Sequence, residues 1–421
     1  MLFALIALSA GTIFAYAATI WGTTKTTLKT TYTSVGKAGA ETIKATEPLT
    51  VLLMGVDTGD NDRGGTDSWQ GNSDSMIVVT LNPKTDTTTM VSMERDTVAN
   101  ILDSDGDTEL SGGKLNSAYP NGYNADGITG AASWSMNTVA QQVGISLDKF
   151  VAINMNGLIS LVNAVGGITV YNDPNNWVAT ADNAYPEGTI YISDTAGYDG
   201  VFIPPGEQTL DGEHALVYAR DRHHRANGDY GRIAAQREVI TQLMKKLLNM
   251  NNLSKYQTFL SSASADIKTN IQVSDSNLQS LLAYRSCFKK IVSVQYQGVG
   301  YTNPADGGSY QLTADQTLLA VQNLMLKSID QPTIADVNPD IITYDNYIGY
   351  EPSAYFLPSV TITENGKQTV KGVDPDGSLV SITSDNADKY VSTSGGAVEA
   401  DSSSSSSSAS SSDITSDTAS Q

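Results

Sequence analysis

Cysteine, histidine and arginine are all scarce in this chain of 421 residues: it holds one cysteine, three histidines and eight arginines. A single cysteine excludes an internal disulfide framework and a cysteine-based zinc site. Cys287 is expected as a small buried core residue, the usual fate of an isolated thiol. Histidine supplies no metal spacing either. His223 and His224 are adjacent, His214 lies well before them, and neighbouring side chains rarely ligate one ion; they read as anion contacts or surface residues. Positive charge is short as well. Lys plus Arg number 25 against 45 Asp plus Glu, a formal net charge of -20, which speaks against nucleic acid as a partner. The chain shows no P-loop, no nucleophile elbow and no zinc signature, and the acidic stretch "GDNDRGGTDS" lacks EF-hand spacing. At 40% hydrophobic and 17% charged, it has a globular composition lean in charge, enough for one large domain or two ordinary ones.

What is present begins with "LFALIALSAGTIFAYAATIW" (Leu2 to Trp21), a run without a charged residue. A helix of about 20 residues matches a bilayer core. An uncleaved membrane anchor over residues 1–22 is the expected reading. A signal segment cut near "AYA" (Ala15 to Ala17) and a buried core helix are the alternatives. In the first two, the bulk of the chain lies outside the membrane. The Thr- and Lys-rich residues 23–47 are expected as an extracellular stalk.

Three short apolar runs follow: "LTVLLMGVD", "SMIVVTLNP" and "TTMVSMERD". Their near-continuous hydrophobicity between polar turns predicts central strands covered on both faces. "AASWSMNTVAQQVG" predicts a helix closed by Gly144. "FVAINMNGLISLVNAVGGITV" reads strand, helix, double-glycine turn, strand. Residues 172–205 read as a surface excursion, and "RIAAQREVITQLMKKLLNM" as an amphipathic helix with Ile233, Ile240, Leu243, Met244 and Leu247 on one stripe. A helix beginning near residue 274 or 275, a strand in "KKIVSVQYQG", a closing helix in "TADQTLLAVQNLML" and a hairpin with an Asn-Gly turn in "SVTITENGKQTVKGV" complete the series. Strands alternating with helices argue for an α/β fold, a three-layer α-β-α sandwich with a mixed central sheet. From about residue 391 the chain is mostly Ser, Ala, Thr and Asp, a composition expected to stay disordered.

The scarce arginines are concentrated. Arg220, Arg222, Arg225, Arg232 and Arg237 fall within or just after "YARDRHHRANGDYGR". Guanidinium forks match phosphate oxygens bidentately and keep their charge. If Arg220 and Arg222 lie on an extended strand, both face one side. Arg232 and Gln236, four apart on a helix, share a face near its positive end. That is a phosphate or pyrophosphate cradle; the competing reading is a solvated ion-pair network with Asp221, Asp229 and Glu238. Asp57 ends the first strand and Asp74 precedes the second, where they serve either as Mg²⁺ ligands or as turn residues. Arg95 follows the third strand, so Asp57 and Arg95 project to one rim if the two strands are parallel. Lys114, beside a glycine pair, is either an anion contact or a solvated lysine.

Taken in order, "LLMGVD", "NSDSMIVVTLNP", "SMERD", "KLNSAYPNG", "NMNGLISLVNAVGGITV", "LDGEHALVYARDRH" and "DYGRIAAQREVI" resemble the LytR-CpsA-Psr family of membrane-anchored cell-wall enzymes. The likeness covers about residues 48–250 and continues more weakly to about 327. It implies a domain over residues 48–330; beyond it, where the resemblance offers no counterpart, composition alone marks a small extension over 331–390 and a Ser-rich tail over 391–421. It implies a three-layer α/β fold with an apolar pocket for a lipid tail. It also implies a phosphotransferase, single-pass in the membrane with its catalytic domain outside. Such an enzyme moves a glycopolymer, teichoic acid or capsular polysaccharide, from a polyprenyl pyrophosphate onto peptidoglycan as a phosphodiester. By motif match, Asp57 and Asp74 would hold Mg²⁺. Arg95, Lys114, Arg220, Arg222, Arg232 and Gln236 would hold the pyrophosphate, and Asp74, Arg95, Arg220 and Arg222 would carry catalysis. Asp57, Asp74 and Asp96 are candidates for the base. Two departures stand out: the loop "HHRANGD" carries an extra Arg225, and Ala235 stands where the family often has Arg. A non-catalytic binding protein, a polyprenyl-pyrophosphate pyrophosphatase and a wall scaffold are the competing functions.

Overall fold

The structure, a computed structural model, describes residues 32–35, 43–44, 46–57, 69–147, 149–178, 188–192, 201–248, 265–271, 280, 284–304 and 307–392. The apolar run expected as a membrane anchor and the residues of the tail beyond 392 lie outside these. Among the described residues, no helix is long and apolar enough to cross a membrane.

In chain order the elements begin with β1 (Leu49–Asp57), β2 (Asn72–Asn82), β3 (Thr87–Met93), β4 (Val98–Leu102), β5 (Thr108–Lys114), α1 (Ala118–Val143), β6 (Lys149–Asn154), α2 (Met155–Ala164) and β7 (Ile168–Asn172). They continue with β8 (Ile190–Ile192), β9 (Val201–Ile203), β10 (Gly206–Leu210), α3 (Gly212–Arg220), α4 (Gly228–Leu248), β11 (Ile267–Thr269), β12 (Lys290–Gln295), β13 (Val299–Thr302) and β14 (Ser309–Leu312). The last are α5 (Asp315–Ser328), α6 (Tyr344–Ile348), β15 (Ser359–Glu364), β16 (Lys367–Val373) and β17 (Leu379–Ser381).

Nine strands form one mixed sheet in the order β11-β6-β1-β2-β3-β12-β15-β16-β17. The pairs β1/β6 and β3/β12 are parallel, and the other neighbours are antiparallel. The near-continuous hydrophobicity of β1 and β2 has a direct cause. Alternate residues feed two cores: Val51, Ile77 and Val79 enter one, Leu52, Met54, Met76 and Val78 the other. Residues of α2, α3 and α4 (Leu161, Ala215, Val239) close the first core, and residues of α1 and α5 (Val139, Val321, Met325) the second. Each such Val, Leu, Ile or Met side chain, fully buried, contributes about 1.5–3 kcal/mol.

Several expectations change on contact with the tertiary structure. The helix expected over 131–144 ends at Gly144 (φ 70°) as predicted but begins at Ala118, because it is two helical segments joined at a kink of Asp126 and Gly127 (φ 53°). The stalk is not free of the domain in its described part. Val35 and Ile43 are buried, and the Tyr284 hydroxyl donates to the carbonyls of Lys44 (2.7 Å) and Glu47 (2.6 Å). The excursion over 172–205 contributes Ile190, Val201 and Ile203 to the first core. The start of the helix expected near 274 lies outside the described residues, and Tyr284–Lys289 is a 3-10 turn. Cys287 is fully buried, as expected, and burial pushes its thiol up to about 12. The Asn-Gly hairpin forms, with Asn365 (φ 51°) and Gly366 (φ 76°) both left-handed, as a two-residue primed turn requires. It does not stand apart, however: β15 pairs with β12, so the hairpin extends the central sheet.

Candidate anion-binding site at the rim of the sheet

Strand direction assembles the site. β1 and β3 are each antiparallel to β2, so they run the same way and end at one rim, where β2 begins. Asp57 closes β1, Asp74 opens β2 and Arg95 follows β3, which places all three on that rim. The rim condition posed by the sequence is therefore met, through an intervening antiparallel strand. The β1/β2 register then breaks: Gly55 pairs with Ser75 but Val56 pairs with Ser73, which leaves Asp74 as the extra residue of a bulge. A bulge re-aims a side chain that regular pleating would hold against the core.

The aimed Asp74 carboxylate accepts from Arg95 Nη1 at 2.9 Å and from Asn116 Nδ2 at 2.9 Å. Arg95 Nε lies 3.3 Å from Asp96 Oδ2 and 4.0 Å from Asp229 Oδ1. Lys114 Nζ pairs with Asp96 Oδ1 at 2.7 Å. At the start of α4, Arg232 forks onto Asp229 (Nε–Oδ1 and Nη2–Oδ2 both 2.9 Å) and donates to the Asp74 carbonyl at 3.4 Å. Arg220 Nη2 reaches Asp57 Oδ2 at 3.3 Å. Burial opposes the charge on Arg95, but Asp74, Asp229 and Asp96 outweigh it and hold the guanidinium above its ordinary value. Arg95 Nε, Arg232 Nε and Asp229 Oδ1 are buried, and although they sit within ion-pair distance, none makes a well-angled hydrogen bond. Buried guanidinium N–H groups without a proper acceptor are costly unless something fills that role.

The rest of the arginine stretch divides by role. "YARDR" is not an extended strand: Arg220 is the last residue of α3 and Asp221 its C-cap, so alternation does not put Arg220 and Arg222 on one side. Arg222 is exposed and lies 3.4 Å from His223 Nε2. The last turn of a helix leaves carbonyls without partners, and here neighbours supply donors. Arg225 Nη2 donates to the Tyr218 carbonyl (2.9 Å) and Gln236 Nε2 to the Ala219 carbonyl (3.3 Å). Arg225 also lies 4.6 Å from the Tyr218 ring centroid and is buried with Asp221, which His224 Nδ1 contacts at 2.8 Å. Arg237 is buried under β12, donates to the Val294 carbonyl at 3.2 Å, and is pushed down to about 10 by burial. Arg225 with Asp221 and Arg232 with Asp229 do form ion pairs, but with both arginines buried and not in the solvated network that the sequence offered. Glu238 instead accepts from the Tyr218 hydroxyl (2.8 Å) and the Tyr171 N–H (2.9 Å). His214 closes on Asp211 at the start of α3, a local cap.

Sequence reasoning missed Asn116 and Glu94. Asn116 sits one residue beyond "KL" in a quoted motif, and nothing in its type marks it. Glu94 is buried beside Arg95, accepts from the Gly298 N–H at 3.0 Å, and is pushed up to about 8 by burial, with the charges of Asp229 and Asp96 adding to the effect. No three His, Cys, Asp or Glu side chains converge as a metal cage among the described residues. Two carboxylates on one rim, Asp57 and Asp74, are nonetheless a hard-oxygen donor set of the kind Mg²⁺ uses with water and phosphate.

A mixed α/β sheet with helices on both faces and a rim of paired arginines and carboxylates defines an α/β protein with a charged site at one edge of its sheet. The sequence profile of the LytR_cpsA_psr family matches residues 15–327, and the chain belongs to this family. Biofilm regulatory protein A of Streptococcus mutans serotype c is 40% identical over 322 residues, 76% of this chain and 73% of that protein. Polyisoprenyl-teichoic acid–peptidoglycan teichoic acid transferase TagU of Enterococcus faecalis is 40% identical over 276 residues, 66% of this chain and 78% of that protein. The crystal structure of protein gbs0355 from Streptococcus agalactiae superimposes with a TM-score of 0.61 at 41% identity, covering 72% of this chain and 95% of that one.

Proposed function

We propose that the chain is a phosphotransferase that moves a glycopolymer from a polyprenyl-pyrophosphate carrier onto a peptidoglycan hydroxyl, with the three-layer sandwich as scaffold. The relative named a teichoic acid transferase supports the reaction class. The observation that carries the reading is the convergence of Arg95, Arg220, Arg232 and Lys114 with their carboxylates on one rim, with buried guanidinium N–H groups still lacking a well-angled acceptor.

Charge counting supports Mg²⁺ in the same site. The four cations just named face four carboxylates, Asp57, Asp74, Asp96 and Asp229, so the rim is neutral by itself. One Mg²⁺ held by Asp57 and Asp74 makes the balance two positive charges, which matches the two negative charges of a pyrophosphate diester. When bound, the ion would neutralise charge developing on the bridging oxygen. Arg95 and Arg232 would hold one phosphate, Arg220 the other. Arg222, in the turn after Arg220, is assigned to the outer oxygens, and Gln236 supports Arg220 through the end of α3. Lys114 balances Asp96.

The acceptor oxygen attacks the sugar-linked phosphorus. The bond from that phosphorus to the bridging oxygen breaks, and polyprenyl phosphate leaves. The hydroxyl proton passes to a rim carboxylate, Asp57, Asp74 or Asp96. Such chemistry relies on positioning and charge stabilisation more than on covalent participation by the protein. On this reading residues 1–22 anchor the chain in the membrane and the domain faces outward.

The test combines the folded protein, Mg²⁺, a polyprenyl-pyrophosphate saccharide and peptidoglycan oligomers. A phosphodiester-linked product is expected. Lipid phosphate release without transfer would make the protein a pyrophosphatase, and neither product would leave a binding protein. Asp74→Ala is expected to weaken the Mg²⁺ dependence of turnover at least tenfold; a wild-type Mg²⁺ titration would remove Asp74 from the metal site.

A further inference from the structure

Beyond the rim runs a line of tyrosines. Lys114, the cation paired with Asp96, stands with Nζ 4.8 Å from the centroid of the Tyr310 ring. Tyr310 on β14 is the register partner of Tyr301 on β13, so their rings share one face of that hairpin. Tyr301 meets Tyr347 of α6 edge to face, with centroids 5.7 Å apart at 82°. Tyr344 and Tyr350 meet likewise, 6.2 Å apart at 75°. Tyr347 is 43% exposed and Tyr350 65%. Large aromatic rings left in solvent beside a charged rim mark a contact surface.

The line is fixed to the site. The Gln311 N–H of β14 donates to the Asp96 carbonyl at 2.9 Å, and Gln311 bridges Thr97 in parallel. α6 is held by a capping box of Thr343 and Asn346, and the Tyr344 N–H donates to the Thr313 carbonyl at 2.9 Å. The tyrosines are therefore presented by braced elements that lead away from the reacting centre.

Carboxylates flank the rings. Asp345 accepts from the Asp315 N–H at 3.0 Å and Glu351 from the Tyr355 hydroxyl at 3.2 Å. Asp315 Oδ1 is buried without a hydrogen-bond partner. None of the three pairs with a cation among the described ion pairs. Flat rings suit the C–H faces of pyranose sugars, and carboxylates accept from their hydroxyls. The same carboxylates repel a polymer that carries phosphates. A saccharide strand without phosphate fits this surface; a phosphate-bearing chain does not.

We propose that the Tyr310–Tyr301–Tyr347 line and the neighbouring Tyr344 and Tyr350 form a subsite for the acceptor glycan, binding uncharged N-acetylhexosamine units and leading a hydroxyl to the rim at Lys114. The proposal rests on the transferase reading for its acceptor. Much of the surface, α6 and its tyrosines included, lies beyond residue 327, where the family match ends.

The test titrates the full chain in detergent with a neutral N-acetylglucosamine tetramer and with a poly(glycerol phosphate) oligomer of similar length. The tetramer is expected to bind and the polyanion not to bind at the tyrosines. In the double variant Tyr347→Ala with Tyr350→Ala, affinity for the tetramer is expected to fall about tenfold, the effect of truncating contact aromatics. The variant Tyr347→Phe with Tyr350→Phe should bind within about threefold of wild type, because stacking survives. In the transfer assay the Ala variant should raise KM for the acceptor and leave donor affinity unchanged. Undiminished tetramer binding in the Ala variant, no tetramer binding by the wild type, or polyanion binding that depends on the tyrosines would each overturn the proposal. Because the titration needs no turnover, a failed transfer assay with intact tetramer binding would instead count against the transferase reading.

Discussion

The arginines that looked alike in the sequence are not alike in the fold, and substitution should separate them. Arg220→Ala and Arg222→Ala are each expected to abolish transfer without lowering the melting temperature, since Arg220 is partly exposed and Arg222 exposed. Arg225→Ala is expected to do the reverse. It strips a buried carbonyl of α3 of its charged donor and leaves the buried Asp221 with His224 as its remaining side-chain partner, a loss of about 3 kcal/mol readable by thermal or urea unfolding. Glu94 makes the sharpest pH prediction. Burial raises its pKa from 4.5 to about 8, so the folded state keeps a proton that the unfolded chain has already released. The stabilising effect of that proton is complete below pH 4.5 and is lost as pH rises through about 8. The total is on the order of 5 kcal/mol. Glu94→Gln should flatten this fall in urea-denaturation curves between pH 5 and pH 9; an unchanged slope would show that Glu94 is already ionised. The spacing of Arg220 and Arg222 was legible as a cluster, but the division of labour was not. Which guanidinium caps a helix depends on where the helix ends.

At the scale of elements, periodicity exposed the central strands and most helices because burial on one or two faces leaves a direct trace in residue type. The strands β1, β2 and β3 follow the apolar runs closely. The bulge at Asp74 left no such trace: it is a mismatch between two strands, visible only when they are paired. Nor was the first half of α1 visible, since its kink is set by a close approach. A Cβ on Gly130 would overlap the carbonyl oxygen of Gly122, so the two segments can touch only through glycines. Gly130→Ala is therefore expected to cost about 3 kcal/mol or more. Gly127→Ala, which meets nothing within 4 Å but must adopt φ 53° and ψ -143°, backbone space that favours glycine, should cost about 1–3 kcal/mol through strain alone. Equal losses in chemical denaturation would mean that the segments separate without penalty.

At the scale of the molecule, the sheet is longer than the family domain. The match ends at residue 327, yet β15, β16 and β17 continue the sheet from β12. Val360 and Val373 are fully buried in the second core. Tyr390 closes over Gly372 so tightly that a Cβ there would collide with the ring. A chain truncated after Asp330 should expose the β12 edge and part of that core. It is expected to melt earlier and to associate in size-exclusion chromatography, as unprotected edges do. A truncated protein as stable and monomeric as the full chain would show that the hairpin is dispensable.

The sequence by itself determined the α/β class, the order of the central strands along the chain, the family, and the residue types that supply charge to the site. These are local or compositional properties, written in periodicity, turn chemistry and motif order. Only the tertiary structure decided that Asp57, Asp74 and Arg95 share a rim, that Arg225 and Arg237 are buried, and that a tyrosine line from the far end of the chain joins Lys114. The reason is physical: strand direction, register and helix ends bring together residues that lie far apart in sequence, and contacts over such separations leave no local signal to read.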